Sequence, residues 1–324
     1  MKLLPTVFLL LLVFLALDDA RVEARGTPRA RGSRHQWSSM FVFGDDFVDN
    51  GNVPDITGEK TSRQWSYPYG SYRNSSWSGV PVPTGRFSNY RMQSDFIARM
   101  LGLHPTSKHQ INLVTPFKRL VNDGVIETRQ LHHSVALIAI SGNDYMSGSD
   151  ANNGFYSSFD DLDTYMGNVV TEILDNVAQL QTLGVRKVLV NNMHPIGCTP
   201  LQTSSNNYTT CDLLGNYGAS VHNKYLKQMI GERDNVHIVN HAPGEGSDRS
   251  KDFKRKLTPC CESSYKGGYC GKLSSSGKHL YDLCQNPDKR FYWDETHPTH
   301  AGWEAVMEAL EQPLMEFLDQ DYVR

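Results

Sequence analysis

The segment Asp294-Glu295-Thr296-His297-Pro298 carries the residue pair with the most direct chemical use. An aspartate three residues before a histidine on one loop can accept the imidazole Nδ1 proton, fixing the tautomer and leaving Nε2 as a base. By itself the spacing is weak, because such a pair is more often a surface contact or a helix-start feature. It gains weight from two other polar clusters, each placed after an apolar run: Asp45-Asp46 after Phe41-Val42-Phe43, and Gly142-Asn143-Asp144 after Val135 to Ile140. Brought together, these would assemble a base, an orienting carboxylate, an amide and the further carboxylate of Asp46, which can act as nucleophile or base. Asp45, Asp46, Asp294 and His297 also form a donor set that a hard divalent ion accepts, but nothing in their spacing demands a metal, and neither metal nor cofactor is expected. Asp45 and Asp49 have an ordinary alternative as caps of turn N–H groups. His132, His133, His194, His222 and His241 lack a motif and receive no role.

The elements that must position these residues follow from periodicity. Apolar runs at 41–43, 135–140, 187–190 and 237–240 read as buried strands. Between them, Met92, Phe96, Ile97, Met100 and Leu101 recur at helical spacing behind a Ser88 or Asn89 cap. Further helices are expected from Leu162 to Leu183, stopping at Gly184, and from Leu213 to Ile230. A last one begins at Pro298 or Thr299, and Pro313 is expected to kink or split it. Alternating strands and helices predict an α/β fold with a parallel sheet covered on both faces, where ligands bind beyond the carboxyl ends of the strands. A polar loop from Val53 to Pro83 carries Trp65, Tyr67, Tyr69, Tyr72 and Trp77, which either overhang a ligand or pack the loop onto the body.

The chain has 324 residues and 39% hydrophobic composition, enough for one large domain. Met1-Lys2, an apolar stretch over Leu3 to Leu17 and the small residues Ala20 and Ala24 predict a secretory signal over residues 1–24. That stretch falls short of the ~20 residues a membrane span needs, so no stable membrane anchor is expected. A basic disordered lead-in over 25–36 and a single domain over 37–324 follow. Residues 1–34 hold six Lys/Arg against Asp18, Asp19 and Glu23, so the net charge of −3 leaves −6 on the rest, which argues against nucleic acid as a partner. The six cysteines lie in the C-terminal half and predict three disulfides among 15 pairings. Cys198 with Cys211 is the easiest to argue, and adjacent Cys260 and Cys261 are expected to bond elsewhere than to each other. Sequons at Asn74 and Asn207 agree with a secretory route.

The ordered blocks Phe41-Val42-Phe43-Gly44-Asp45, Thr84-Gly85-Arg86-Phe87-Ser88-Asn89, Ser141-Gly142-Asn143-Asp144, Pro195-Ile196-Gly197-Cys198-Thr199-Pro200 and Trp293-Asp294-Glu295-Thr296-His297-Pro298 resemble those of plant-type GDSL esterase/lipases of the SGNH hydrolase superfamily. The resemblance runs from about Phe41 to Leu314. It implies a three-layer α/β/α, flavodoxin-like fold around a five-stranded parallel sheet, and hydrolysis of carboxylic esters. The implied substrates are a small-molecule ester, such as a lipid, or an acylated polysaccharide of the cell wall, acted on by a secreted monomer. In the family a serine attacks the ester, the matching histidine is His297 and its orienting aspartate is Asp294. The oxyanion is held by the nucleophile's N–H, a second-block glycine N–H and an asparagine matched by Asn143. Two positions depart from the pattern: Asp46 stands where the serine belongs, and Tyr90 where the glycine does. A tyrosine keeps the N–H, but a positive φ there would be costly and its ring could fill the pocket. A carboxylate beside His297 would favour the imidazolium and place negative charge where an oxyanion should develop, so esterase activity is expected to be reduced or lost. A non-catalytic binding protein, or use of Asp46 itself as nucleophile or base, are the alternatives. Ser141 as a substitute nucleophile is the weakest reading, because it lies on a different strand tip.

Overall fold

Successive residues of a strand face opposite ways, and here both faces are apolar, which requires cover on each. The computed structural model describes residues 37–51, 63–71, 83–103, 114–140, 142–143, 145, 159–231, 233–241, 251–265 and 267–320. Strands β1 (Ser39–Gly44), β2 (Ser134–Ala139), β3 (Lys187–Asn191) and β4 (Val236–Val239) form a parallel sheet in that order. Val42 pairs with Leu137 and Leu137 with Leu189, so side chains of like direction line up across the sheet.

On one face Val42, Val135, Leu137, Ala139 and Leu189 pack against helix α1 (Gln93–Met100) and the C-terminal helix α7 (His300–Asp319). On the other, Phe43, Ala136, Ile138, Val188 and Val190 meet α2 (Val114–Asn122), α3 (Thr128–His132), α4 (Phe159–Leu183) and α6 (Leu213–Ile230). The short α5 (Pro200–Thr203) follows β3. The result is the expected α/β/α layering. The strand count differs from the five implied by resemblance: four strands pair among the described residues, one for each apolar run of strand length.

One helix cap departs from expectation, and of the kink or split expected at Pro313 the split does not occur. Ser88 and Asn89 do not cap α1. The N–H of Met92 is instead held by the Asp95 carboxylate at 2.9 Å, while Asn89 Oδ1 accepts the His300 N–H at 2.7 Å, at the start of α7. Helix α7 runs through Pro313 without splitting. Pro313 costs the Ala309 carbonyl its helical partner, but both residues are exposed and water can solvate that oxygen.

A small antiparallel pair, β5 (Cys261–Ser263) and β6 (Tyr281–Leu283), is stapled by disulfides Cys260–Cys284 and Cys261–Cys270. The third disulfide joins Cys198 and Cys211, as the polar loop between them predicted. Backbone N–H groups of Cys260 and Cys261 donate to the Tyr292 and Trp293 carbonyls at 3.0 and 2.6 Å, tying this stapled unit to the loop that carries Asp294 and His297.

Buried Arg86 grips Asp95 through two hydrogen bonds of 2.8 and 2.7 Å, linking the segment before α1 to its first turn. Arg86→Met leaves that carboxylate buried without its cation, and urea denaturation at neutral pH should show a loss of about 3 kcal/mol.

Candidate functional site

The site is built where β1 and β2 end. Gly44 has φ +151°, and a Cβ there would stand 2.0 Å from the Ala139 carbonyl oxygen, so only glycine allows the β1 tip to lie this close to the β2 tip. The Asp45 N–H then donates to that same carbonyl at 3.3 Å, and the Asp45 side chain turns to the Phe47 N–H, the ordinary turn role. Asp46 is left pointing across the strand tips. Its Oδ1 accepts from Asn143 Nδ2 at 3.1 Å, and its Oδ2 stands 2.9 Å from His297 Nε2. The second approach is an ion-pair contact, since it lacks the alignment of a good hydrogen bond.

His297 is buried, with Nδ1 donating to Asp294 at 2.8 and 2.9 Å to the two carboxylate oxygens. The Asp294 carboxylate also accepts the backbone N–H of His297 at 2.8 Å and of Thr296 at 2.9 Å, so one side chain folds the loop and orients the ring. Its Oδ2 takes a further hydrogen bond of 2.7 Å from the fully buried Tyr69 hydroxyl, and Arg63 lies 3.9 Å away. Arg63 also pairs with Glu295. Phe87 stacks on the His297 ring at a centroid distance of 4.8 Å, and Phe47 closes the other side at 5.2 Å.

These contacts set the charges. Burial alone would strip the proton from His297, yet the two flanking carboxylates, Asp294 and then Asp46, outweigh it and raise its pKa to about 10. Burial likewise opposes the charge on Asp46, but the His297 imidazolium holds its carboxyl below the usual value. Asp294 is pulled down in the same way against its burial, by His297 first and Arg63 after it. Tyr69 is driven well above its ordinary value by burial and the adjacent Asp294, so it stays a neutral donor. Near neutral pH the centre is therefore carboxylate, imidazolium, carboxylate.

The structure thus gathers Asp46, Asn143, Asp294 and His297 from three separate stretches of chain. Tyr90 does not take a positive φ, so the strain feared for a non-glycine residue is absent, and its ring packs edge-on against His300 and beneath the Arg91 guanidinium. Ser141, Asp144 and Asn74 lie outside the described residues, as do Tyr72 and Trp77. Asn207 is exposed in a left-handed turn, with φ 57°. Arg63 and Tyr69 were missed as site residues. Of the two readings of the aromatic loop, ligand contact or packing onto the body, Tyr69 takes the second and braces Asp294 from within. Among the described residues no cluster of His, Cys, Asp and Glu forms a metal site, and no helix is long and apolar enough to cross a membrane.

The raised His297 pKa is a stability statement. A group held above its unfolded value of 6.5 stabilises the fold fully below that pH and loses the contribution as pH rises through about 10. Asp46→Asn should lower the His297 pKa in an imidazole NMR titration. It should cost about 2 kcal/mol of stability near pH 6, a gap that closes toward pH 10.

Comparison with known proteins agrees with this geometry. Residues 40–310 match the family model of the GDSL-like lipase/acylhydrolases. The chain is 27% identical to the Arabidopsis thaliana protein GDSL esterase/lipase At5g03610, with 95% of this chain and 96% of that protein covered. It is 27% identical to GDSL esterase/lipase At3g09930, covering 93% and 94%, and 28% identical to GDSL esterase/lipase At2g36325, covering 84% and 86%, both from the same plant. A family match over most of the chain, on a fold whose strand tips bring His297 and Asp294 together, places this protein in the GDSL-like lipase/acylhydrolase family.

Proposed function

We propose that this is a secreted member of its family in which the serine route of ester cleavage has been lost. The protein keeps the frame as an extracellular binder of acyl or glycan ligands. The observation that carries the reading is the Asp46 carboxylate, whose two oxygens occupy Asn143 Nδ2 and His297 Nε2. Serine-type hydrolysis needs a neutral imidazole to take the nucleophile's proton and a free amide to receive the oxyanion. Here the imidazole is already protonated, with a pKa near 10, and one N–H of the amide is already bonded to the Asp46 carboxylate. Asp46 sits as a built-in carboxylate in the place an ester carbonyl would have to enter, and its charge repels a developing oxyanion.

The remaining catalytic reading, with Asp46 as nucleophile or water-activating base, has the assembled His297, Asp294 and Asn143 in its favour. Against it, a carboxylate held low by an imidazolium is a poor base and a weak nucleophile. By resemblance, the second-block oxyanion N–H would fall to Tyr90, which has no positive φ. Secretion rests on the apolar start with its small-residue cleavage positions, on three disulfides and on the exposed sequon at Asn207. The extracellular space and cell wall are the setting proposed.

With p-nitrophenyl acetate and butyrate, the natural protein should show turnover no greater than a His297→Ala control. Asp46→Ser should gain His297-dependent activity of about 10²-fold or more. Turnover by the natural form that His297→Ala abolishes would overturn the reading. Expressed in a plant secretory system, the protein should begin within residues 21–25, and its Asn207→Gln variant should lose the mass of one N-glycan on intact-mass analysis.

A further inference from the structure

A chamber of about 560 Å³ opens beyond the ends of β2, β3 and β4, bounded by α7. Its size falls in the ordinary range for small-molecule sites. Phe47, Phe253, Leu257, Trp303, Val306 and Leu310 give it an apolar wall, and Asp46, Asn143 and His297 are not part of it. Phe47 is the partition. Its ring stacks on His194, a lining residue, at 4.6 Å and stands 5.2 Å from the His297 ring, so the chamber lies one aromatic ring away from the charged centre.

Asn191, Asn192, Asn240, His194, His241 and Lys256 interrupt the apolar wall; Asn191 is bonded to Gln93, Asn192 to Asn240, and His194 is stacked on Phe47, which leaves two polar groups to consider. His241 is buried, and its Nδ1 sits 3.4 Å from the Asn192 carbonyl oxygen, which leaves Nε2 without a protein partner. Burial drives its pKa down to about 4, so the ring is neutral, and with Nδ1 toward a carbonyl oxygen its Nε2 adds no positive charge to the chamber. At the surface, Lys256 lines the same chamber, is exposed and makes no ion pair among the described residues. An apolar chamber with, among the described residues, one ammonium at its edge complements a ligand with one aliphatic chain and one negative end.

We infer that this chamber is a binding site for a medium-chain aliphatic carboxylate, the chain lying along Phe47 and Trp303 and the carboxylate meeting Lys256. The inference deepens the binding reading above and rests on it, while making no use of Asp46 chemistry. The ligand is a free acid held apart from the Asp46–His297 centre, and no bond is made or broken.

Isothermal titration of the full-length secreted protein with decanoate and with 1-decanol tests it. Decanoate should bind saturably, and at least 5-fold more tightly than 1-decanol. Lys256→Gln should remove that preference while leaving 1-decanol within 2-fold, and Ala309→Trp, at an exposed position on the chamber wall, should weaken both by 20-fold or more. No saturable decanoate binding, equal affinity for acid and alcohol, or binding untouched by Ala309→Trp would each overturn the inference. Ester turnover recorded on the same samples separates this failure from that of the proposed function, since a protein that hydrolyses p-nitrophenyl butyrate can still bind decanoate.

Discussion

A buried imidazolium between two carboxylates is the interaction on which the rest of the site depends. A charge in such a place is tolerated only when neighbours of opposite sign and hydrogen bonds replace the water it lost. Asp294 does this on one side with both oxygens, and Asp46 on the other with one. Phe87 and Phe47 fill the remaining faces of the ring and keep the dielectric low, which strengthens both attractions. The arrangement satisfies itself, and this supports the proposal that the serine route of ester cleavage has been lost. Charges that neutralise each other inside the protein have little left to offer a transition state.

The scaffold spends much of its polar structure on holding Asp294 rather than His297. Tyr69, two backbone N–H groups and Arg63 all converge on that carboxylate, and the disulfide-stapled unit fixes the loop through the Tyr292 and Trp293 carbonyls. Ser88 and Asn89 join the same assembly, one donating to the Pro298 carbonyl and the other receiving the first N–H of α7. The second block of the chain is thus bound to the last. That explains how a loop far from β1 in sequence keeps its register against Asp46.

The separation of the charged centre from the apolar chamber has the same origin. Phe47 follows Asp46 by one residue in the turn after β1, so the turn that aims the carboxylate at His297 also sends the ring toward His194 and Trp303. His194 and His241 on the chamber side are driven neutral by burial, to about 3 and about 4, whereas His297 on the other side is charged. Three imidazoles in one neighbourhood thus differ in charge because only one has carboxylates at its nitrogens.

The sequence by itself determined the layers, the four apolar runs that became strands, the Cys198–Cys211 loop and the identity of the groups at the site. These depend on local periodicity and on short-range spacing, such as Asp294 to His297, which a chain displays without being folded. Through resemblance to a known family it also raised the expectation that Asp46 stands in the serine position. Only the tertiary structure decided that Asn89 caps α7 instead of α1, that α7 continues past Pro313, and that Tyr69 and Arg63 serve Asp294. It alone decided that both Asp46 oxygens are already taken. The passage of α7 through Pro313 rests on its solvent-facing position, and the others rest on contacts between residues 97 to 251 positions apart, such as Asn143 with Asp46 and His297 with Asp46, whose distances no local pattern encodes. The charge on His297 is of that kind, because it is set by what burial and folding place within 3 Å of its nitrogens.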